Sequence, residues 1–101
     1  MKIIIFSILI FFNLLHAGKL NGKKVFETYC WGCHHQTAVA FGPPFKEIAS
    51  RRTKEEIEAY IISPHSMYKA FGYKRTAMTQ LTLTDDEREA ITDYVLSFKG
   101  K

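Results

Sequence analysis

The chain has few of the residues that cross-link small proteins. Its 101 residues contain only two cysteines, and no second cysteine pair follows the first. A structural zinc site normally takes four ligands with a second pair downstream, so the sequence argues against one. The formal net charge of +4 is too small to indicate a nucleic-acid partner. The chain also lacks internal repeats and sustained strand-like alternation, which leaves a single all-α domain as the expectation.

No apolar run reaches the roughly 20 residues that a membrane-spanning helix needs. The longest, residues 3–15, follows a positive start at Lys2 and precedes two small residues, Ala17 and Gly18. This order is typical of a secretory signal peptide. We therefore expect residues 1–17 to be a signal peptide and residues 18–101 to be the exported domain, in the periplasm or an equivalent space, with no membrane span after cleavage. An uncleaved membrane anchor is the alternative.

The only two cysteines belong to one motif, Cys30-Trp31-Gly32-Cys33-His34. Cysteines at this spacing can each form a thioether to a vinyl group of a haem, and the histidine that follows can bind the iron. C-x-x-C-H is the attachment signature of a c-type haem. A covalently held haem would also supply apolar surface to a domain too small to bury a large core of its own.

The two cysteines could instead form a redox-active dithiol or a structural disulfide. A redox-active dithiol of the thioredoxin kind is expected in a βαβ setting, and the sequence shows none. A structural disulfide across so short a loop would stabilise little by the chain-entropy argument. The adjacent histidine favours the haem, and we expect Cys30 and Cys33 to attach it and His34 to bind its iron.

Helical spacing and end signals predict the helices of this domain. Asn21 is a candidate N-cap for a helix over residues 21–30, with Val25, Phe26, Tyr29 and Cys30 on one face. A short helix is predicted over 45–49, and capping boxes at Thr53-x-x-Glu56 and Thr84-x-x-Glu87 open helices to residue 62 and to about residue 99. The intervening stretch, residues 63–83, lacks helical periodicity and is predicted to be an aromatic-rich loop that lies on the haem.

The second axial ligand has three candidates. A methionine opposite histidine is the pairing used for electron transfer, because the thioether favours ferrous iron. Met78, just before the last helix, has more chain with which to round the haem edge than Met67 and is favoured. His65 would give a bis-histidine site instead.

The loop Gly42-Pro43-Pro44 follows the motif and stops regular structure. It is either a plain turn or the source of a carbonyl acceptor for the imidazole nitrogen of His34 that faces away from the iron. Spacing alone does not separate the two.

The chain resembles the class I c-type cytochromes, especially the short bacterial monohaem proteins, over residues 19–99. Gly22 and Phe26 match the glycine and aromatic that precede the first haem cysteine, and Ile91 and Tyr94 match the last-helix positions that pack on them. The resemblance implies a cytochrome c fold of three to five helices wrapped around one covalently bound haem c.

The same resemblance implies roles for particular residues. Gly42-Pro43 matches the family's glycine-proline, whose proline carbonyl accepts from the proximal histidine. Met78 lies at the separation used for the axial methionine, and Tyr73 matches an aromatic that often reaches a haem propionate. One departure is Ala77-Met78-Thr79, where the family often has a proline beside the methionine. A propionate-binding arginine has no dependable match; Arg52 and Arg75 are candidates, with plain surface charge as the alternative.

The expected function is one-electron transport rather than enzymatic catalysis, with a respiratory oxidase, reductase or dehydrogenase as redox partner. A haem enzyme or ligand sensor with a displaceable sixth ligand is the alternative, followed by a periplasmic thiol-disulfide oxidoreductase.

Overall fold

A computed structural model describes residues 20–101 of the chain. The predicted signal peptide, residues 1–17, lies outside the described residues. From residue 20 onward, no helix combines the length and apolarity that crossing a bilayer requires.

Helices and loops make up the whole of the described part, which contains no strand. Five helices form within residues 20–101. They are α1 (Gly22–Val25, which continues as a π-helical segment, Phe26–Cys30), α2 (Phe45–Arg51), α3 (Lys54–Ile62), α4 (Pro64–Met67) and α5 (Asp85–Leu96). The predicted all-α class, with three to five helices, is confirmed.

Local hydrogen bonds fix where three of the helices begin. The Asn21 side chain accepts from the backbone N–H of Lys23, which caps α1. Thr53 and Thr84 each accept from the N–H three residues on, and Glu56 and Glu87 accept in return from the capping residues' own N–H groups. Each capping box satisfies two donors that a helix start would otherwise leave unpaired, so both predicted helix starts are confirmed.

Two helix predictions were wrong in detail. α5 ends at Leu96 rather than near Lys99, because the chain tightens into turns in which Phe98 and Lys99 donate to carbonyls only three residues back. The predicted loop contains α4, in which Pro64 occupies the first turn. Proline lacks the N–H that a first turn leaves unpaired, so Ser63-Pro64 both ends α3 and starts a new turn.

The core lies where α1, α2 and α3 pack against α5. Phe26 and Ile91 are each 2 % exposed at the crossing of α1 and α5. Gly22 lets the two helices approach: a Cβ there would lie 2.6 Å from the Cβ of Tyr94 and would also collide with the Ala90 carbonyl. The other residues of the buried hydrophobic core are Val25, Phe45, Ala49, Ile57, Ile61 and Val95, and Pro44 and Pro64 are also buried.

Tyr29 does not join this core, although its spacing from Phe26 predicts that it should. It is 42 % exposed, and its hydroxyl donates to the Glu87 carboxylate at 3.1 Å. The cause is the π-helical turn, in which Trp31 N–H donates to the carbonyl of Phe26, five residues back. The wider turn changes the angle between successive side chains, so the three-and-four rule fails there.

Candidate functional site

A largely apolar cavity of about 660 Å³ opens beside the core. Its walls come from the end of α1, from α2, α3 and α5, and from the loops around residues 41–43 and 71–81. The volume lies within the range of roughly 300–1,000 Å³ that is usual for cofactor sites. All six predicted site residues, Cys30, Cys33, His34, Pro43, Tyr73 and Met78, line it.

The motif reaches the cavity because a turn follows α1 directly. Cys30 ends the π-helical segment, and its carbonyl accepts from the N–H groups of Cys33 and His34 at 3.2 and 3.0 Å. This turn brings two free thiols and one imidazole to the same wall. Cys30 is partly buried and Cys33 is exposed, so one thiol lies deeper than the other.

Burial, with a smaller contribution from the neighbouring Cys33, raises the pKa of the Cys30 thiol to about 11. A redox-active C-x-x-C pair works through a thiol whose pKa is lowered, because the thiolate is the nucleophile. The environment of Cys30 therefore has the opposite effect to the one that a thiol-disulfide oxidoreductase requires.

The His34 ring is fixed by three neighbours. Its Nδ1 lies 2.8 Å from the Pro43 carbonyl oxygen, and its ring stacks on Phe45 with 5.4 Å between centroids. A Cβ at Gly42 would lie 2.5 Å from its Cε1 atom, so the Gly42 backbone covers the ring edge. Because a carbonyl only accepts, Nδ1 must carry the proton, and the lone pair of Nε2 is left to bind a metal.

The three candidate axial ligands differ in whether they line the cavity. Met78 is partly buried, packs against the core and lines the cavity. Met67, on α4, is partly buried but does not contribute to the cavity wall, and His65 is exposed on the same short helix. The fold therefore brings Met78, and neither of the other two, to the same cavity as His34; its ligation of iron stays a prediction.

Arg52 brings a positive charge to the cavity wall with one donor unused. Its Nη2 donates to the Phe71 carbonyl at 2.6 Å, its guanidinium lies 4.3 Å above the Phe71 ring, and its buried Nε has no hydrogen-bond partner. Its Nη1 also forms an ion pair with the Glu56 carboxylate at 3.8 Å, so the guanidinium charge has a partner at the edge of the cavity. Arg75 also borders the cavity but is exposed.

These features fit a haem. The cavity is apolar, as a porphyrin plate requires, and two thiols at its wall match the two thioether bonds of a haem c. An imidazole with a free Nε2 and a thioether sulfur lie on the same cavity, and Arg52 brings a positive charge to its wall.

Tyr60 and Thr76 are among the residues of this site that the sequence did not predict. Neither Tyr60, on α3, nor Thr76, in the loop before α5, is singled out by a sequence motif. Both line the cavity, and the Tyr60 hydroxyl bonds the Thr76 hydroxyl at 3.0 Å. The pair lies 16 residues apart in the chain, and no spacing rule links a helix to an irregular loop at that distance.

The family model described as Cytochrome c matches residues 20–99, which is most of the chain. No curated protein and no solved structure matches the chain at a significant level.

Proposed function

The chain belongs to the cytochrome c family, and from this premise we propose that it is a periplasmic one-electron carrier with His34 and Met78 as the axial ligands of a single haem c. In this role residues 1–17 direct export and residues 18–101 form the electron-carrying domain. Its partners are redox proteins such as an oxidase, a reductase or a dehydrogenase.

The bound haem would supply a one-electron couple at its iron. The protein's part is to attach, orient and shield it. Cys30 and Cys33 are the residues that would hold it covalently. Pro43 keeps the proton on Nδ1 of His34, which orients the ring and raises the basicity of Nε2. The apolar wall excludes water, and a dry pocket is one of the factors that set the reduction potential.

The single observation that carries the proposal is the shared cavity. Both thiols, the imidazole and the Met78 thioether line one apolar space although Met78 comes from a distant loop. A dithiol enzyme has no need of this set of groups, and an open-site haem enzyme has no need of the methionine.

Arg52 and Tyr73 are proposed to face the haem propionates. Arg52 is favoured over Arg75 because its side chain is only 18 % exposed and is held at the cavity wall by the Phe71 carbonyl. Its guanidinium also lies 5.8 Å from the centre of the Tyr73 ring, so the two side chains are neighbours at the cavity wall.

The ligand assignment is tested with Met78→Ala and its matched control, Met67→Ala. The oxidised wild-type protein should show the weak near-infrared charge-transfer band of a methionine on ferric iron, beside a c-type reduced-minus-oxidised spectrum. Met78→Ala should abolish the near-infrared band, and Met67→Ala should leave it. The opposite pattern would assign the ligand to Met67, and a colourless exported protein would refute the carrier altogether.

A further inference from the structure

The helix α2 begins without a side-chain cap. Pro44 is its N-cap residue, and no side-chain hydrogen bond is made there. The first N–H groups of the helix instead donate to carbonyls of the two residues that follow the C-x-x-C-H motif. Phe45 bonds His35 and Lys46 bonds Gln36, each at 3.0 Å. The backbone of residues 35–36 therefore satisfies donors that a helix start would otherwise leave unpaired, and it serves as the cap of α2.

This cap affects His34 through Phe45. The Phe45 ring stacks on the imidazole with an interplanar angle of 30°. Phe45 is only 3 % exposed, and its ring also makes an edge contact with Phe26 at 5.2 Å between centroids. The position of the first turn of α2 therefore determines how the face of the imidazole is covered.

The Gln36 side chain joins the cap to the last helix. Its Nε2 donates to the Tyr94 hydroxyl on α5 at 3.3 Å, although the two residues are 58 positions apart. Tyr94 is fixed in turn, because its ring packs against Phe26, Phe45 and Phe98 with centroid separations of 5.6, 6.2 and 5.1 Å. The hydroxyl is thus a stationary acceptor, and it binds a residue of the α2 cap.

The other side chains of this loop make only local hydrogen bonds. The Nδ1 atom of His35 accepts from the backbone N–H groups of Thr37 and Ala38 at 3.1 and 3.0 Å, which closes a turn within the loop. Among the side chains of residues 35–41, Gln36 alone forms a hydrogen bond with another helix in the described part of the chain.

We propose that Gln36 and Tyr94 are positioning residues for His34. The Tyr94 hydroxyl holds Gln36, whose segment caps α2, and Phe45 at the start of α2 keeps the imidazole in one orientation. The inference rests on the proposed function, in which His34 is an axial ligand. The pair acts by preorganisation, because less freedom of the ring is lost when Nε2 binds.

Two measurements report the two ends of this chain of contacts. Amide hydrogen exchange at Phe45 and Lys46 reports opening of the cap, and loss of one typical hydrogen bond makes that opening about threefold to tenfold more frequent. The electron paramagnetic resonance spectrum of the ferric holoprotein reports the orientation of the imidazole plane at the iron. General destabilisation would speed exchange throughout the chain, whereas loss of the cap speeds it at the start of α2.

The experiment removes the bond from either side in the exported holoprotein. Tyr94→Phe removes the hydroxyl and keeps the packed ring, and Gln36→Leu removes the amide at similar size. In each variant we expect exchange at Phe45 and Lys46 to become about threefold to tenfold faster, together with a shifted or broadened resonance signal. The double variant should equal either single variant, since the partner of each group is already gone.

Matched controls and a rescue accompany these variants. Tyr68→Phe and Gln80→Leu make the same changes outside both the α2 cap and the cavity wall, and both should behave as the wild type does. Gln36→Glu supplies a carboxylate that can accept from the Tyr94 hydroxyl, so the link forms again with donor and acceptor exchanged. It should keep slow exchange at the cap, and adding Tyr94→Phe to it should remove that protection.

The outcomes also separate this inference from the proposed function. A ferric wild-type protein without a low-spin signal refutes the proposed axial pair and the positioning role together. A wild type with that signal, whose exchange at the cap is unaltered by Gln36→Leu or Tyr94→Phe, refutes only the positioning role. Faster exchange with an unchanged resonance signal refutes it as well, because the cap would then have no effect on the imidazole.

Discussion

The imidazole of His34 is the most constrained group of the site. The Pro43 carbonyl sets its tautomer, the Phe45 ring covers one face and the Gly42 backbone lies against its edge. Gly42 also donates its N–H to the Cys33 carbonyl at 2.6 Å, which ties the loop to the motif. A side chain at residue 42 has no room, which explains glycine at this position by packing alone.

Gly42→Ala should therefore displace the His34 ring or the loop. We expect it to lower the free energy of unfolding by about 1–3 kcal/mol, as is usual for overpacking, and to shift the reduction potential. Denaturant titration and redox potentiometry measure the two effects. Gly32→Ala is the matched control, because a Cβ there meets nothing within 4 Å. Equal stability of the two variants would contradict this account of Gly42.

The motif residues were predictable one by one, since C-x-x-C-H is contiguous and its chemistry depends on spacing. The Pro43 contact was one of two open interpretations, and the resemblance to cytochromes favoured it. The structure places that carbonyl at hydrogen-bond distance from Nδ1 of His34. The sequence left Arg52 and Arg75 as equal candidates and did not single out Thr76, because the contacts of these residues depend on which distant groups lie beside them.

Among the elements, α1 and α5 form the contact that closes the core. Gly22 on α1 lies against Ala90 and Tyr94, and no larger residue fits. A second link joins the same helices at the surface, where the Tyr29 hydroxyl donates to Glu87. Glu87 also accepts from the Thr84 N–H at 2.9 Å, so one carboxylate both caps α5 and binds α1.

Gly22→Ala tests the packing of this helix pair. Alanine is the better helix former by about 1 kcal/mol, yet we expect a net loss of about 1–3 kcal/mol in unfolding free energy because the new methyl group collides with α5. Lys24→Ala, at an exposed position of the same helix, is the control. A stabilised Gly22→Ala protein would show that the two helices are not in close contact.

The stabilisation that the Glu87 carboxylate gives to the contact between α1 and α5 should depend on pH, and the direction follows from its pKa. The Thr84 N–H, helped by the Tyr29 hydroxyl, lowers the pKa of the carboxyl below its ordinary value of 4.5. A lowered pKa means that the stabilisation is present above the unfolded-state pKa and is lost as pH falls through the folded-state value.

The stability advantage of the wild type over Glu87→Gln should thus be constant above about pH 5 and shrink below the unfolded-state pKa. Denaturant unfolding at a series of pH values measures it. Asp86→Asn removes an equal charge from the same first turn and should not reproduce the effect. An advantage that is independent of pH would show that the neutral carboxyl binds equally well.

On the scale of the whole molecule, the cavity lies against the core residues Ile57, Ile61, Ile91 and Val95. The group that fills it therefore completes the core. A domain this small buries little apolar surface otherwise, so we expect its folding to depend on the haem.

The Cys30→Ser/Cys33→Ser variant, which cannot form thioethers, tests this dependence. It should lose most of its helical circular dichroism signal and its cooperative thermal transition, because the cavity is left without contacts. The exported wild-type protein is the reference. A variant that unfolds at the wild-type midpoint would show that the helices pack without the haem.

The sequence by itself determined the attachment motif, the two capping boxes and the all-α class, because each depends on residues close together in the chain. Tertiary structure alone decided that Tyr29 stays out of the core, that α5 stops at Leu96 and that Tyr60 reaches Thr76. It also placed Met78 and Arg52 at the wall of the cavity that His34 lines. The physical reason is that helix starts are satisfied by neighbours along the chain, whereas burial and long-range hydrogen bonds depend on which segments the fold brings together.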